Sequence, residues 1–395
     1  MPWMERSVMD ERIKFIGRLL SGEKMAQVCR EFGISRKTGH KIWNRYREDG
    51  TRGIYDRSRA PNKHPNQVPF EIEQLIVRLK KEKPKWGAPK IRKLVSDKYP
   101  DIKLPAVSTV HCILDKHDLV EKYRKRNKYH ATATYLSVPQ EPNDLWCTDF
   151  KGQFKMKNGT YCFPLTMSDF FSRYIISCEA LSNTEINPCF AVFEEAFLEY
   201  GLPVAMRSDN GAPFAGGNSL WNLTRLSVWW IRLGIKLERI TPGCPQENGR
   251  HERMHRTLKL EATSPAINNL LQQQERFDNF RKEFNYQRPH QALEMKRPAD
   301  LYRGSARKYT GLPDITYPGY DKSLMITHCG RICFNEAKIH ISRAFANQLV
   351  GLKEVDSGIW QVDFMSYMLG FFDEESNKFT PCDDPFGFKI NLNNP

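Results

Sequence analysis

Glu252, Arg256 and Lys259 have residue types and a spacing that suit chemistry on a phosphate backbone. They lie in PGCPQENGRHERMHRTLK, residues 242–259, where Pro242, Gly243 and Pro245 break any preceding strand and the run after Asn248 reads as a helix. Steps of four and three residues put one acid and two bases on a single helical face. Such an acid can hold a divalent cation while the cations hold phosphates. A solvated face of mixed charge would read the same way if it stood alone. Two upstream acids change the balance. Asp149 is a single carboxylate inside the strand-like, aromatic run LWCTDFKGQF, and Asp209 ends the apolar run of GLPVAMRSDNGAPF at a Ser-Asp-Asn-Gly turn. Either could be a turn or cap residue. A strand Asp, a strand-end Asp and a helix Glu in that order point instead to three carboxylates converging on one site.

In order and local text, the chain resembles the integrase-type catalytic core of bacterial insertion-sequence transposases. These are relatives of retroviral integrases that use an Asp-Asp-Glu triad. By motif, Asp149 matches the first acid, Asp209 the second, and Glu252 the third, through N-G-x-x-E-x-x-x-x-x-x-K. Downstream, FNYQRPHQAL at residues 284–293 resembles the Y-N-x-x-R-P-H-x-A-L signature that closes the same core. The likeness covers roughly residues 143–302. Glu252 follows Asp209 by 43 positions, longer than the retroviral spacing, and the extra residues are expected within GGNSLWNLTRLSVWW.

The resemblance implies a polynucleotidyl transferase. Asp149, Asp209 and Glu252 would be its catalytic residues and the ligands of two Mg²⁺ ions, with Mn²⁺ as a substitute, since carboxylates suit both. Arg256 and Lys259 match positions that contact the DNA end. Water would cleave at the terminal inverted repeats of the element, and the exposed 3′-hydroxyl would then attack target DNA. Work on two ends implies a homodimer or larger assembly on double-stranded DNA. Glu247 rivals Glu252 by type. Five residues at about 100° each separate the two by roughly 140°, so one rigid helix cannot aim both at the same metal pair. Glu252 shares its face with Arg256 and Lys259 and is preferred. Two other functions compete, a ribonuclease-H-like nuclease that cuts without joining and a DNA-binding regulator derived from a transposase. The intact acids argue against the second.

The elements that must position these acids read as a multidomain chain. A length of 395 residues allows two to four domains, and 40% hydrophobic content fits globular protein. The net charge of +14 is uneven: residues 1–130 hold 31 Lys and Arg against 16 Asp and Glu, and the remainder is close to neutral. That pattern predicts a nucleic-acid-binding half joined to a catalytic half. Residues 1–50 read as a helix-turn-helix DNA-binding domain, with helices in MDERIKFIGRLLSG, EKMAQVCREFG and SRKTGHKIWNRYRE. Phe32-Gly33-Ile34-Ser35 forms its turn. Ser35, Arg36, Lys37, Thr38, His40 and Lys41 are its candidate DNA contacts. Residues 51–69 are a basic linker with Arg57 and Arg59 as candidate phosphate contacts, and 70–120 read as a second helix-turn-helix domain with Ser108-Thr109 capping its third helix. Trp86 is assigned to core packing. Residues 121–142 are a second basic linker carrying Arg124, Lys125 and Arg126.

Residues 143–305 alternate strands and helices as a central α/β ribonuclease-H-like core does, with strands near 145–155, 160–168, 173–181, 203–208 and 235–240. Helices are expected over 184–200 and 218–233. Residues 306–395 are short, β-rich segments, expected to form a small SH3-like β-barrel with a poorly ordered tail from about Asn377. The ten Cys form no Cys-x-x-Cys pair, so reduced thiols and no zinc are expected. No apolar run has the length of a membrane span, so a cytoplasmic, nucleoid-associated protein is expected.

Overall fold

The computed structural model describes residues 7–56, 67–121, 136–217 and 219–386. The chain divides into two compact units, Met1–Pro69 and Phe70–Pro395. In the first, α1 (Val8–Leu20), α2 (Met25–Glu31) and α3 (Arg36–Asp49) close over Phe15, Ile16, Val28 and Cys29. Ser35 caps α3 by accepting from the Thr38 amide at 3.1 Å, as a helix-turn-helix corner requires. The two helices pass so closely that a side chain on Gly39 would collide with Cys29 Sγ.

The second unit opens with α4 (Phe70–Glu82), α5 (Ala88–Lys98) and α6 (Val107–Lys116), closed over Ile76, Leu79, Ile91, Val95, Val110 and Leu114. Ser108 and Thr109 do not cap α6. Its N-cap is Ala106, which offers no side-chain acceptor, and the two hydroxyl residues lie inside the first turn. Trp86 is buried between α4 and α5, where Lys80 Nζ donates to the carbonyls of Pro84 and Trp86 at 2.6 and 2.9 Å.

The chain then lays down β1 (Leu145–Phe150), β2 (Phe154–Lys155), β3 (Tyr161–Asp169) and β4 (Ile175–Leu181), followed by α7 (Ile186–Tyr200) and β5 (Ala205–Ser208). Next come α8 (Arg225–Arg232), β6 (Lys236–Arg239), α9 (Gly249–Leu258), α10 (Leu270–Tyr286) and α11 (Pro298–Leu301). β3 pairs antiparallel with both β1 and β4, and β2 pairs with the start of β3. On its other side β1 runs parallel to β5, which runs parallel to β6. Helices cover both faces of this sheet. Leu165 and Met167 of β3 pack with Phe193, Phe197 and Trp230 of α7 and α8. Thr166 and Ser168, alternating to the other face, meet α9. A strand covered on both faces reads as a continuous buried run, and Leu145 to Thr148 are all buried.

The expected helix over 218–233 starts late, at Arg225. Trp221 and Asn222 both have positive φ, and Thr224 supplies the cap. The C-terminal segments differ more from expectation. Strands β7 (Lys322–Met325), β8 (Arg331–Phe334), β9 (Ala337–His340), β10 (Leu349–Asp356), β11 (Ile359–Phe364), β12 (Tyr367–Asp373) and β13 (Lys378–Pro381) do not close into a barrel. They form an open antiparallel sheet in the order β13-β12-β11-β10-β7 and a separate β8–β9 hairpin. An open face needs a cover, and α8 supplies part of it: Val228 and Ile231, with Trp221 and Leu223, join Val350, Leu352, Val362 and Phe364 in one core. The tail is structured further than expected, since β13 pairs with β12 as an edge strand.

Candidate functional site

Asp149 stands near the C-terminal end of β1, and Asp209 is the first residue past the end of β5. The two strands are parallel neighbours with Leu145 beside Ala205 and Cys147 beside Arg207. The ladder ends at that pair, and Asp149 and Asp209 each lie two residues beyond it, close enough for the Asp209 charge to bear on Asp149. The turn after β5 holds Asp209 in place: its Oδ1 accepts from the Gly211 amide at 3.1 Å, and Asn210 Nδ2 donates to the Ile240 carbonyl at 2.6 Å. A Cβ on Gly211 would lie 3.1 Å from Asp209 Oδ2, so the turn has little room for a side chain there.

Glu252 lies in the first turn of α9 with its side chain exposed, nearer the helix start than the sequence implied. Its charge reaches Asp149. Burial, then Asp209, and more weakly Glu252 push the Asp149 carboxyl up to about 7, and burial raises Asp209 as well. Among the described residues, no group of three His, Cys, Asp or Glu side chains is gathered tightly enough to enclose a metal ion. The donor set nevertheless fits a hard divalent cation, which favours carboxylate oxygens and would relieve the repulsion that raises Asp149.

Glu247 is already engaged. It lies in a 3₁₀ turn over Pro245–Asn248, and its two carboxylate oxygens accept from the Thr241 amide at 2.7 Å and the Thr241 hydroxyl at 3.0 Å. It closes the loop that leads into α9 and leaves Glu252 as the acid free to face Asp149.

Two histidines that sequence reasoning passed over dock α9 onto the sheet. His251 and His255 are buried one turn apart, with ring centroids 4.5 Å from each other. Thr166 Oγ1 donates to the Asp149 carbonyl at 3.0 Å, which uses its one proton. It must therefore accept from Nε2 of His251 at 2.8 Å and from Nε2 of His255 at 2.6 Å. Ser168 Oγ then donates to His251 Nδ1 at 2.7 Å. Burial holds both rings neutral: His251 falls to about 3, and His255 falls well below the usual imidazole range. His255 Nδ1, 3.8 Å from Asp149 Oδ2, is too distant to bond it. The sequence signal was available, because His251, Met254, His255 and Leu258 form the buried stripe beside the Glu252 face.

Other buried polar residues brace the same region. Arg207, 2% exposed, reaches Glu238 on β6 with two N–H groups at 2.9 and 3.1 Å and lies 4.9 Å from the centre of the Phe170 ring. Asp169 accepts from the amides of Asn143 and Ser172. The closing signature is a set of fasteners. The Asn285 side chain exchanges two hydrogen bonds with the Ile175 backbone of β4, at 2.8 and 2.9 Å. Arg288 grips Glu261 beyond α9 at 2.6 and 3.0 Å and stacks 5.7 Å from the Trp86 ring.

Arg256 is exposed on α9, and Lys259 opens the wider π-helical turn Lys259–Thr263 that follows. Arg256 borders an open groove of about 810 Å³ between α9 and the α4–α6 helices. In the first unit, Ser35, Arg36, Lys37, Thr38, His40 and Lys41 are all exposed at the start of α3, with the hydroxyls of Ser35 and Thr38 bonded to each other at 2.9 Å. Arg57, Arg59, Arg124, Lys125 and Arg126 lie outside the described residues.

Comparison with known proteins gives matches to two family descriptions of an integrase core domain, over residues 139–245 and 233–298, and to a homeodomain-like domain over residues 19–114. The uncharacterized insertion element IS407 protein of Burkholderia multivorans is 23% identical over 276 residues, covering 70% of this chain and 89% of that protein. The Gag-Pol polyprotein of woolly monkey sarcoma virus is 30% identical over 146 residues, or 35% of this chain. The chain spans 8% of that polyprotein's length. Among solved structures, the simian T-cell lymphotropic virus intasome in complex with PP2A regulatory subunit B56 gamma matches at 16% identity and a TM-score of 0.37. That match covers 74% of this chain and 97% of the other. The HTLV-2 integrase catalytic core domain in complex with magnesium matches at 17% and 0.33, covering 41% of this chain and 98% of that one. Among the described residues, no helix is long and apolar enough to cross a membrane.

Proposed function

We propose that this chain, which carries an integrase core domain behind a homeodomain-like domain and is similar to an insertion-element protein, is a DNA transposase that cleaves the ends of its own element and joins them to target DNA. The observation that supports this reading is that Asp149 and Asp209 stand at the ends of the parallel neighbours β1 and β5, with the charges of Asp209 and Glu252 both bearing on the Asp149 carboxyl.

In this reading Asp149, Asp209 and Glu252 would hold divalent cations, Mg²⁺ by preference, which when bound would supply neutralising charge and polarise the scissile phosphate and attacking oxygen. The protein's own contribution is placement. Neighbouring strand ends fix two carboxylates, and the His251–Thr166–His255 contacts fix the helix that brings the third. Glu252, exposed on that helix, would have to turn inward to complete the set. Arg256 and Lys259 hold phosphates beside it, and the neutral histidines add no competing positive charge under Asp149. The exposed cations at the start of α3 read the element ends from a major groove, while the core handles backbone. Paired ends require at least a dimer on DNA.

The test is a strand-transfer assay with labelled duplexes carrying the inverted repeats that flank the gene. Mg²⁺-dependent cleavage and joining are expected in the wild type, and neither in Asp149→Asn or Asp209→Asn. Cleavage without joining would favour the nuclease reading, and retained activity in either variant would remove that residue from the site.

A further inference from the structure

Beside α9 lies a second cluster that includes none of the three acids: a small pocket of about 90 Å³ lined by Lys90, Arg173, Arg250, Arg253, Arg288 and His290. The acids that border these cations are already taken. Glu261 is held by two N–H groups of Arg288. Asp169, in the pocket wall, accepts from the Asn143 amide at 2.8 Å and from the Ser172 amide and hydroxyl at 2.7 and 2.6 Å. Among the described residues, Glu261 is the opposite charge that bears on Lys90, while the charges that bear on Arg173 are Arg250 and Arg253. Two polar atoms are buried here without a partner, Arg173 Nε and Nε2 of His290, a residue 9% exposed. Burial and then Arg288 push the Lys90 ammonium down to about 7, and Glu261, shared with Arg288, offsets only part of that. A buried guanidinium N–H left without an acceptor is costly, and native proteins rarely keep one without a partner.

We propose that this pocket seats one phosphate group. An ammonium and guanidinium forks are donors only, so the missing partner is an acceptor carrying negative charge on several oxygens. The small volume suits one tetrahedral oxyanion. Arg250 and Arg253 are exposed on α9, the helix that carries Glu252, so the source is a backbone phosphate of DNA lying along that helix. That choice of source rests on the transposase reading, whereas the pocket's affinity for phosphate does not. The seat joins α5, the β3–β4 turn, α9 and the closing signature, so an occupied pocket would fasten the α4–α6 helices to the sheet domain.

Full-length protein titrated with inorganic phosphate at constant ionic strength tests the pocket. A saturable rise in Tm of about 2–4 °C, absent with chloride, is expected. Lys90→Gln and Arg173→Gln should each weaken phosphate binding at least tenfold, while Asp149→Asn should leave it unchanged. An equal shift with chloride, or full binding in both pocket variants, would overturn the proposal. If a variant fails to fold, acetylation of Lys90 in the wild type, followed by mass spectrometry, replaces it. Phosphate should slow the modification severalfold, and an unchanged rate overturns the proposal. Duplexes bearing single methylphosphonates identify the source. One position whose neutralisation weakens binding in the wild type but not in Lys90→Gln supports the backbone, and its absence alongside retained phosphate binding overturns the DNA source in favour of free phosphate.

Discussion

Glu247 and Glu252 have the same side chain, and what separates them is whether the carboxylate is already bonded. Glu252→Gln is expected to eliminate Mg²⁺-dependent cleavage. Glu247→Gln should keep most cleavage and lose about 1–3 kcal/mol of stability, because its Thr241 contacts close a loop. The opposite pattern at matched folding would transfer the third-acid role to Glu247. Replacing both Arg256 and Lys259 with Glu should reduce joining more than total DNA binding, and equal losses would make them general phosphate contacts. A different residue sets a pH dependence. Burial on β4 raises the Glu179 carboxyl from its ordinary value to about 7. An acid raised on folding contributes stability that is complete below about pH 4 and is lost as pH climbs through 7. Glu179→Gln should therefore be more stable than the wild type at pH 8, by on the order of 1–3 kcal/mol, with the gap closing toward pH 4. Chemical denaturation at both pH values measures it. The placement of Asp149 and Asp209 at neighbouring strand ends was legible in the sequence because each interrupts a distinct local pattern. His251, Asp169 and Arg207 were not, since a buried polar residue has no periodic signature and its partners lie far away in the chain.

At the level of elements, α9 is held by one hydroxyl that accepts from two imidazoles. Thr166→Val keeps the volume and leaves two buried Nε2–H groups unpaired, so a loss of about 2–4 kcal/mol is expected, together with a large drop in cleavage. End binding by gel shift should persist, and undiminished cleavage would mean that α9 is held by its apolar contacts. Element types were largely readable from periodicity, and the discrepancies have local causes. Two residues in left-handed geometry delay α8, and a main-chain cap at Ala106 displaces the expected Ser-Thr cap. The closed barrel failed as an expectation because strand patterning shows which face of each strand is apolar, and not whether that face is covered by the same sheet curling or by another domain.

Considered as a whole, the chain carries its excess charge in the N-terminal third, with Asp149, Asp209 and Glu252 beyond it. Removing residues 1–69 should abolish recognition of the element ends while leaving the Tm of the remaining protein within a few degrees of its value in the intact chain. Retained end-specific binding in that truncation, assayed at two salt concentrations, would move the recognition role to the α4–α6 helices.

The core shared by α8 and the C-terminal sheet also orders events in time. Trp221 Nε1 donates to the carbonyl of Cys382, 161 residues downstream, at 2.8 Å. On a translating ribosome, adding that many residues at about 5–20 per second takes roughly 8–32 s. During this interval the segment after Asp209 has been made but lacks its packing partner. Nascent chains stalled before residue 322 should be cut by protease within residues 216–232, and released chains should resist. Equal resistance would mean that the segment folds without the later strands. The delay works as a built-in clock for the segment that follows Asp209.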